Sequence, residues 1–167
     1  MSEHISSHRA WVYGDNVNTD VIFPGKYTYT LRDPKEIAAH ALEDLDPTFA
    51  ANARPGDVIV AGRNWGMGSS REQAVTALKT CGIRFIIAES FGGLYFRNCI
   101  NQGIRPVVLS GLLERVRTGD TIAIDTAAGT LTAAGQVYAL PPLPAQVQAI
   151  LEAGGLVAML KTRFADA

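Results

Sequence analysis

Three short apolar runs stand out in the middle of the chain, at residues 57–61, 85–88 and 104–109. Each run is nearly continuous, as expected of a strand that is covered on both faces. Between the runs, residues 69–81 and 94–102 repeat apolar side chains at helical spacing, and each of these segments is followed by a glycine that can end a helix. The alternation predicts a β-α-β-α-β unit built around a parallel sheet.

Shorter elements are predicted before this unit. The side chains of residues 9–13 alternate in character, which indicates a strand, and residues 20–23 indicate a second short extended segment. The polar and aromatic stretch 26–33 has no period and predicts an exposed loop. Residues 34–45 carry an apolar helical stripe that begins at a proline, which is typical of a helix start. Residues 1–8 are expected to form a flexible tail.

The last third of the chain has a different pattern. In residues 121–125 and 136–140 apolar and other side chains alternate, and small turn residues lie next to both segments. This pattern favours antiparallel strands over further crossover units. The proline-rich residues 141–144 predict a stiff spacer, and residues 141–167 as a whole predict a helical extension that is broken or bent at Gly154 and Gly155. The whole chain, residues 1–167, is therefore predicted to be one α/β domain with a mixed sheet.

Composition narrows the class of protein. The chain has 167 residues, of which 47% are hydrophobic and 19% charged, with a formal net charge of -1. These values favour a globular domain with a buried core and argue against a disordered chain or a basic surface for nucleic acid. The amino terminus lacks a basic stretch followed by an apolar run, and no segment approaches eighteen uninterrupted apolar residues. We therefore expect a cytoplasmic protein with neither a membrane nor a nucleic acid as its partner.

The two cysteines give no sign of a metal site. Cys81 and Cys99 are not part of a CxxC pair or a Cys/His cluster, and their spacing does not indicate a disulfide framework. Both are predicted to be buried thiols. We expect this chain to bind no metal.

Candidate chemistry concentrates in the segment GMGSSRE, residues 66–72, between a predicted strand and a predicted helix. Its glycines allow the backbone to approach a ligand closely, and the free amides of a helix start favour an anion. Ser69 or Ser70 can cap the helix, and Glu72 would lie in its first turn. Arg71 offers a planar fork that suits a carboxylate or a phosphate.

The motif by itself leaves several functions open. In the simplest interpretation it is a structural turn with a capped helix and a solvated arginine. A phosphate cradle is disfavoured because the lysine of a P-loop is missing. A nucleophilic serine would need a positioned histidine, but the three histidines, His4, His8 and His40, fall in the predicted tail or on a helix face.

Four phrases occur together and in order: GDNVNTDVI at 14–22, GDVIVAG at 56–62, NWGMGSSREQA at 64–74 and RNCINQG at 97–103. In this combination the chain resembles the small subunits of 3-isopropylmalate dehydratase and homoaconitase, from about residue 11 to residue 109. The resemblance implies the swivelling domain of aconitase, a β/β/α three-layer fold. It also implies a large-subunit partner that holds a four-iron four-sulfur cluster on three cysteines, while this chain binds no cofactor.

The resemblance also implies roles for individual residues. Ser69 falls where the family has the base that removes a proton from a carbon next to a carboxylate. Ser70 and Arg71, with Gly68 before them, fall where the family binds the substrate carboxylate. Asp20 either faces the same cleft or only forms a turn. A serine base needs donors aimed at its alkoxide, which the predicted helix start and the guanidinium would supply.

The resemblance implies that substrate choice depends on the loop at residues 26–33, and this loop fits neither the homoaconitase-like nor the isopropylmalate-type pattern cleanly. The positions concerned are Tyr27, Thr28, Tyr29, Leu31 and Arg32. We expect an alkyl-substituted malate, either 3-isopropylmalate or a relative such as dimethylmalate or citramalate, with homoaconitate as an alternative. Arg32 either meets a distal carboxylate of a small hydroxy-dicarboxylate or makes a surface ion pair.

Two further alternatives concern assembly and activity. A non-catalytic module that binds a carboxylate or phosphate would use the same motif. An isolated small subunit would also leave its partner surface exposed, so a homo-oligomer of this chain is expected to be possible.

Overall fold

A seven-stranded sheet, parallel on one side and antiparallel on the other, forms the centre of the computed structural model, which describes residues 5–165. The strands lie in the order β4-β3-β2-β1-β5-β6-β7. The pairs β1–β2, β2–β3 and β3–β4 are parallel. The pairs β1–β5, β5–β6 and β6–β7 are antiparallel. The strands are β1 (Ile5–Val12), β2 (Val58–Ala61), β3 (Phe85–Ala88), β4 (Arg105–Val108), β5 (Thr121–Asp125), β6 (Thr130–Ala133) and β7 (Gln136–Ala139).

Short helices connect and flank these strands. They are α1 (Thr19–Ile22), a 3-10 turn (Gly25–Tyr27), α2 (Pro34–Ala39), α3 (Phe49–Asn52), α4 (Gln73–Thr80), α5 (Gly93–Gln102), α6 (Ala145–Glu152) and α7 (Leu156–Ala165). Helices α4 and α5 link the parallel strands, which confirms the predicted β-α-β-α-β unit. Across residues 5–165, no helix combines the length and apolar character needed to cross a membrane.

The sheet separates two hydrophobic cores because its central strands are buried on both faces. On one face, Ile59 and Ile86 pack with the helices around Leu78. On the other face, Val60 and Ile87 pack with the inward side chains of the antiparallel strands and with Leu112 and Val116. The antiparallel half therefore curls over the back of the parallel half, and the layers are sheet, sheet and helix. This arrangement agrees with the predicted mixed-sheet α/β fold.

Three early predictions are wrong. Residues 20–23 are not extended, because the Asn18 side chain accepts from the Val21 amide and starts helix α1. The helix predicted over 34–45 ends at Ala39, since Leu42 takes a positive φ and pairs its amide with the Ile22 carbonyl. The tail predicted over 1–8 is contradicted at residues 5–8, which form part of β1 and pair with β5.

Other details refine the prediction. Strand β6 was not predicted, whereas β5 and β7 were. Residues 1–4, including His4, lie outside the described residues. The closing helix is interrupted at Gly154 and Gly155, both at positive φ, as expected. Cys99 is buried as predicted and Cys81 is half-buried, and burial raises the pKa of the Cys81 thiol to about 11.

One buried carboxylate, that of Asp57, fixes the start of β2 against β1. Its Oδ2 accepts from Arg9 Nη2 at 2.7 Å, from Trp11 Nε1 at 2.9 Å and from the Arg54 amide at 2.9 Å. Burial acts to raise the pKa of Asp57, but the hydrogen bonds from Arg9, Trp11 and Arg54 outweigh it and hold the pKa below its ordinary value. The ionised carboxylate therefore stabilises the folded state.

We expect Asp57→Asn to lower the free energy of unfolding at neutral pH by roughly 2–3 kcal/mol, because charged hydrogen bonds to buried donors are lost. Since the folded-state pKa is lowered, this stabilisation is present above the unfolded-state pKa, about 4, and is lost as pH falls through the folded-state value. In urea unfolding, the difference in free energy of unfolding between wild type and Asp57→Asn should therefore become smaller at acidic pH. Asp44→Asn, at an exposed carboxylate, is the control. A difference between wild type and Asp57→Asn that does not change with pH would contradict the prediction.

Candidate active site

The GMGSSRE segment follows β2 and lies at the carboxyl ends of the parallel strands. Backbone hydrogen bonds hold its start: the amide of Trp65, directly before the segment, donates to the Ser90 carbonyl at 3.0 Å, and the Gly66 amide donates to the Val17 carbonyl at 2.8 Å. The Gly92 amide donates back to the Trp65 carbonyl at 2.9 Å. Ligand sites in open α/β sheets commonly lie at this edge. The segment is therefore a fixed part of the fold.

Two glycines of the segment are required by close packing. At Gly66, with φ of +76°, an added Cβ would lie 2.3 Å from Cγ of the Tyr95 ring. At Gly68, with φ of +116°, an added Cβ would lie 3.0 Å from Thr19 Oγ1. Gly66 thus allows α5 to approach the segment, and Gly68 allows α1 to approach it. The sequence predicted close approach to a ligand, but here the neighbours are side chains of the chain itself.

The predicted helix start at Ser69 is wrong, because α4 begins only at Gln73. Neither Ser69 nor Ser70 is a cap, and Glu72 occupies the cap position without a capping hydrogen bond from its side chain. Helix α5 holds the intervening residues instead: Asn98 Nδ2 donates to the Ser70 carbonyl at 3.1 Å, and a second amide side chain binds the Glu72 carbonyl. The exposed hydroxyls of Ser69 and Ser70 are therefore not used for capping.

Ser69 lies beside a guanidinium and a second hydroxyl. Arg71 Nε donates to Ser69 Oγ at 2.8 Å, and Thr19 Oγ1 lies 3.1 Å from the same oxygen. The Ser69 amide also donates to Thr19 Oγ1 at 3.1 Å. An alkoxide at Ser69 would thus find hydrogen-bond donors already in place.

The rest of the Arg71 guanidinium is bound by two other segments. Nη1 donates to Thr28 Oγ1 at 2.8 Å, and Nη2 forms an ion pair with Asp20. The Arg71 side chain is only 17% exposed, whereas that of Asp20 is 71% exposed. The structure therefore brings Asp20 to the same site as Ser69 and Arg71. It also brings in Gly25, where an added Cβ would lie 2.8 Å from the Asp20 carboxylate.

The loop at residues 26–33 is anchored to α4 and α2. Gln73 Nε2 donates to the carbonyls of Thr28 at 2.9 Å and Leu31 at 3.3 Å. The Tyr27 ring stacks on His40 with a centroid distance of 4.1 Å. A hydrogen bond with Glu43 raises the pKa of Tyr27.

The individual loop positions differ in where they lie. Leu31 packs against the core on the helix side of the sheet, while Thr28 contacts Arg71. Tyr29 is 90% exposed at the loop tip, and Arg32 is also exposed. Thus Thr28 is joined to the Ser69 cluster, and Arg32 takes no part in the ion pairs found among residues 5–165.

The described histidines do not provide a base for a nucleophilic serine. His8, predicted to lie in a tail, is buried in β1, where its ring contacts the Gly56 carbonyl and Ser6 Oγ. His40 Nδ1 lies 2.7 Å from Glu43 Oε2. Because Ser69 is bound by Arg71 and Thr19 instead, the geometry does not favour a Ser-His arrangement. Within residues 5–165, no group of three or more His, Cys, Asp or Glu side chains could hold a metal ion.

Sequence reasoning missed two residues that organise the site, Thr19 and Gln73. Thr19 is buried, and its hydroxyl binds Ser69 from fifty residues away in the chain. Gln73 fixes the loop backbone. The only sequence signal was their position inside the phrases at 14–22 and 64–74, since neither residue type carries chemistry of its own.

Comparisons with known proteins agree with this geometry. Residues 15–111 match the family described as the aconitase C-terminal domain. The 3-isopropylmalate dehydratase small subunit of Thermodesulfovibrio yellowstonii is 42% identical over 158 residues, which cover 93% of this chain and 94% of that protein. That of Pyrobaculum neutrophilum is 48% identical over 157 residues, covering 92% and 95%. A crystal structure of 3-isopropylmalate dehydratase from Methanocaldococcus jannaschii matches with a TM-score of 0.87 and 41% identity, covering 95% of each chain.

We expect Gly66→Ala to destabilise the protein by roughly 3 kcal/mol, because a methyl group there would both strain the backbone and overlap the Tyr95 ring. Gly56→Ala is the matched control: Gly56 also has a positive φ, +93°, but an added Cβ would meet nothing within 4 Å. It should cost only about 1–2 kcal/mol of strain. Urea unfolding of the two variants gives the comparison, and equal losses would show that contact with Tyr95 is unimportant.

Proposed function

This chain belongs to the aconitase C-terminal domain family and, within it, to the 3-isopropylmalate dehydratase small subunits, and from this premise we propose that Ser69 is the base of the reaction. The observation that carries the proposal is the contact between Arg71 Nε and Ser69 Oγ at 2.8 Å. A serine hydroxyl is too weak a base unless its alkoxide is stabilised. A guanidinium that is fixed before substrate binds supplies this stabilisation.

Arg71 is also the proposed site for a substrate carboxylate. Its fork suits a planar carboxylate, and Asp20 occupies part of that fork in the structure. Since the Asp20 side chain is far more exposed than that of Arg71, it can rotate away when a substrate carboxylate arrives. Ser70, whose hydroxyl is exposed, directly precedes Arg71 in the sequence, and Gly68 lies three residues before Arg71. We assign both to the proposed carboxylate site.

Catalysis requires the large subunit, because the small subunits of this family work together with a large one. The small-subunit family implies a heteromer with that partner. Its iron-sulfur cluster, when bound there, supplies a Lewis acid for the leaving hydroxyl. This chain contributes the base and holds one carboxylate, so that loss and return of water can take place at the interface. Self-association of the isolated chain stays a prediction.

For the substrate we propose an alkyl-substituted malate, with 3-isopropylmalate first. The names of the similar proteins support it, and so does the loop: Leu31 is apolar and partly buried, while Arg32 is exposed and outside the Arg71 cluster. A third, distal carboxylate, as in homoaconitate, would need a further cation directed into the site. Dimethylmalate and citramalate remain the nearest alternatives.

Ser69→Ala should lower kcat by roughly 10²- to 10⁴-fold in the complex with the large subunit, as expected for loss of a general base. Formation of the unsaturated product, followed by ultraviolet absorbance under anaerobic conditions, measures the rate. Ser7→Ala, an exposed serine on β1, is the control and should retain wild-type activity. Full activity of Ser69→Ala in an intact complex would overturn the proposed role of Ser69, whereas failure of the wild-type chain to form an active complex would favour a non-catalytic anion-binding module.

Arg71→Lys should lower kcat/KM by about 10- to 100-fold on every substrate, because lysine keeps the charge but loses the fork that binds a carboxylate. The same assay should be run with 3-isopropylmalate, citramalate, 2,3-dimethylmalate and homocitrate in parallel. Wild type should prefer 3-isopropylmalate. A preference for homocitrate would identify a homoaconitase instead.

A further inference from the structure

Thr19 contacts the proposed base, Ser69, from inside the fold. Its side chain is buried, with 1% of the residue exposed, yet its hydroxyl lies 3.1 Å from the exposed Ser69 hydroxyl. It lies on the one-turn helix α1, directly before Asp20. A buried polar group that touches the proposed base is placed to act on that base.

The hydrogen bonds around Thr19 allow its hydroxyl to donate to Ser69. The Ser69 amide donates to Thr19 Oγ1, so the oxygen of Thr19 acts as an acceptor there. A threonine hydroxyl has a single proton, and Ser69 Oγ is the neighbouring acceptor at 3.1 Å. Arg71 Nε donates to the same Ser69 oxygen from another direction. Either hydroxyl can donate while Ser69 is neutral, but as an alkoxide Ser69 has no proton, so Thr19 must then be the donor. The alkoxide oxygen of Ser69 thus has two donors, one charged and one neutral.

We propose that Thr19 is a positioning residue that, together with Arg71, stabilises the alkoxide of Ser69. The inference rests on the proposed role of Ser69 and names the second donor that this role needs. When the alkoxide takes the proton from the substrate carbon, the C–H bond breaks, its electron pair stays on carbon and the new O–H bond forms at Ser69. Both donors favour the charged form before this step and so lower the pKa of the Ser69 hydroxyl.

Thr19 is held firmly enough for this role. Its amide donates to the Met67 carbonyl at 2.9 Å, and its carbonyl accepts from the Phe23 amide at 2.9 Å. The Asn18 side chain caps the same turn. Gly68 leaves space for the hydroxyl, since an added Cβ there would lie 3.0 Å from Thr19 Oγ1. A donor fixed in advance needs no reorganisation when charge develops, which is the condition for strong electrostatic stabilisation.

The first test measures the pKa of a reporter at the site and needs no large subunit. In the full-length Ser69→Cys variant, the rate of alkylation by iodoacetamide against pH gives the pKa of the new thiol. The native thiols interfere little, because Cys99 is buried and the pKa of Cys81 is raised to about 11 by burial. Wild-type protein, alkylated in parallel, corrects for both.

We expect the thiol of Ser69→Cys to titrate below the ordinary cysteine pKa of about 8.5, and adding Thr19→Val to raise that value by about 1. Adding Thr19→Ser, which keeps the hydroxyl, should leave it nearly unchanged. An unchanged pKa in the Thr19→Val background would overturn the proposal. Should Thr19→Val not fold, as judged by circular dichroism, Thr19→Ala removes the same hydroxyl and gives the same comparison.

The second test is kinetic and uses the complex with the large subunit. Thr19→Val should lower kcat by roughly 10²-fold with little change in KM, because the lost donor acts on the base and not on bound substrate. The rise of kcat/KM with pH should move to higher pH, and Thr19→Ser should restore both properties. A loss that Thr19→Ser does not restore, or that appears mainly in KM, would indicate a structural role and overturn the proposal.

The two tests separate this inference from the proposed function. If Ser69→Ala retains activity, Ser69 is not the base, whatever Thr19 does. If Ser69→Ala is inactive while Thr19→Val leaves both the thiol pKa and kcat unchanged, the base is correct and the second donor is wrong.

Discussion

The guanidinium of Arg71 is the interaction on which the candidate site depends. Its three nitrogens bind Ser69, two residues before it in the same segment, and Thr28 and Asp20, which lie 43 and 51 residues away in the chain. A flexible lysine could not satisfy three acceptors in fixed directions, whereas the planar fork of arginine can. Because the Arg71 side chain is largely buried, its contacts with Ser69 and Thr28 hold the hydroxyl and the loop in one arrangement, whereas its third partner, Asp20, is largely exposed.

Close packing places Arg71 where it can make these contacts. Gly66 accepts the Tyr95 ring and Gly68 accepts Thr19, so the segment after β2 lies between α5 and α1. The segment stays non-helical up to Glu72 because side chains of α5 bind its carbonyls. The hydroxyl of Ser69 consequently remains free for chemistry, which it would not be as a helix cap.

The parallel and antiparallel halves of the sheet have different structural roles. The parallel half ends in the loops that carry the site, and the antiparallel half covers its back face with a second core. Asp57 ties the two central strands together at the end opposite to the site. Large hydrophobic side chains are exposed in the GMGSSRE segment (Met67), in α5 (Leu94) and in the loop at 26–33 (Tyr29), in keeping with a subunit that needs a partner.

Much of this could be predicted from the sequence. Short apolar runs separated by helical repeats gave the parallel unit, because burial on both faces demands continuous apolar strands. The phrases at 14–22 and 64–74 identified Ser69, Arg71 and Asp20 as candidates together. Their proximity in space agrees with that grouping, although the role of each residue remains a proposal.

Only the tertiary structure decided how these residues act together. Local pattern placed a helix start at Ser69 and an extended segment at 20–23. Side chains from α5 override the first through long-range contacts, which can outweigh weak local propensities. The second is overridden by a local cap, in which the Asn18 side chain binds the Val21 amide three residues on. Thr19 and Gln73 carry no chemical signature in sequence, and their roles arise from contacts across more than forty residues. The sequence by itself determined which residues bring chemistry, and the fold determined which hydrogen bonds prepare them for it, because hydrogen bonding depends on distance and direction that sequence spacing does not contain.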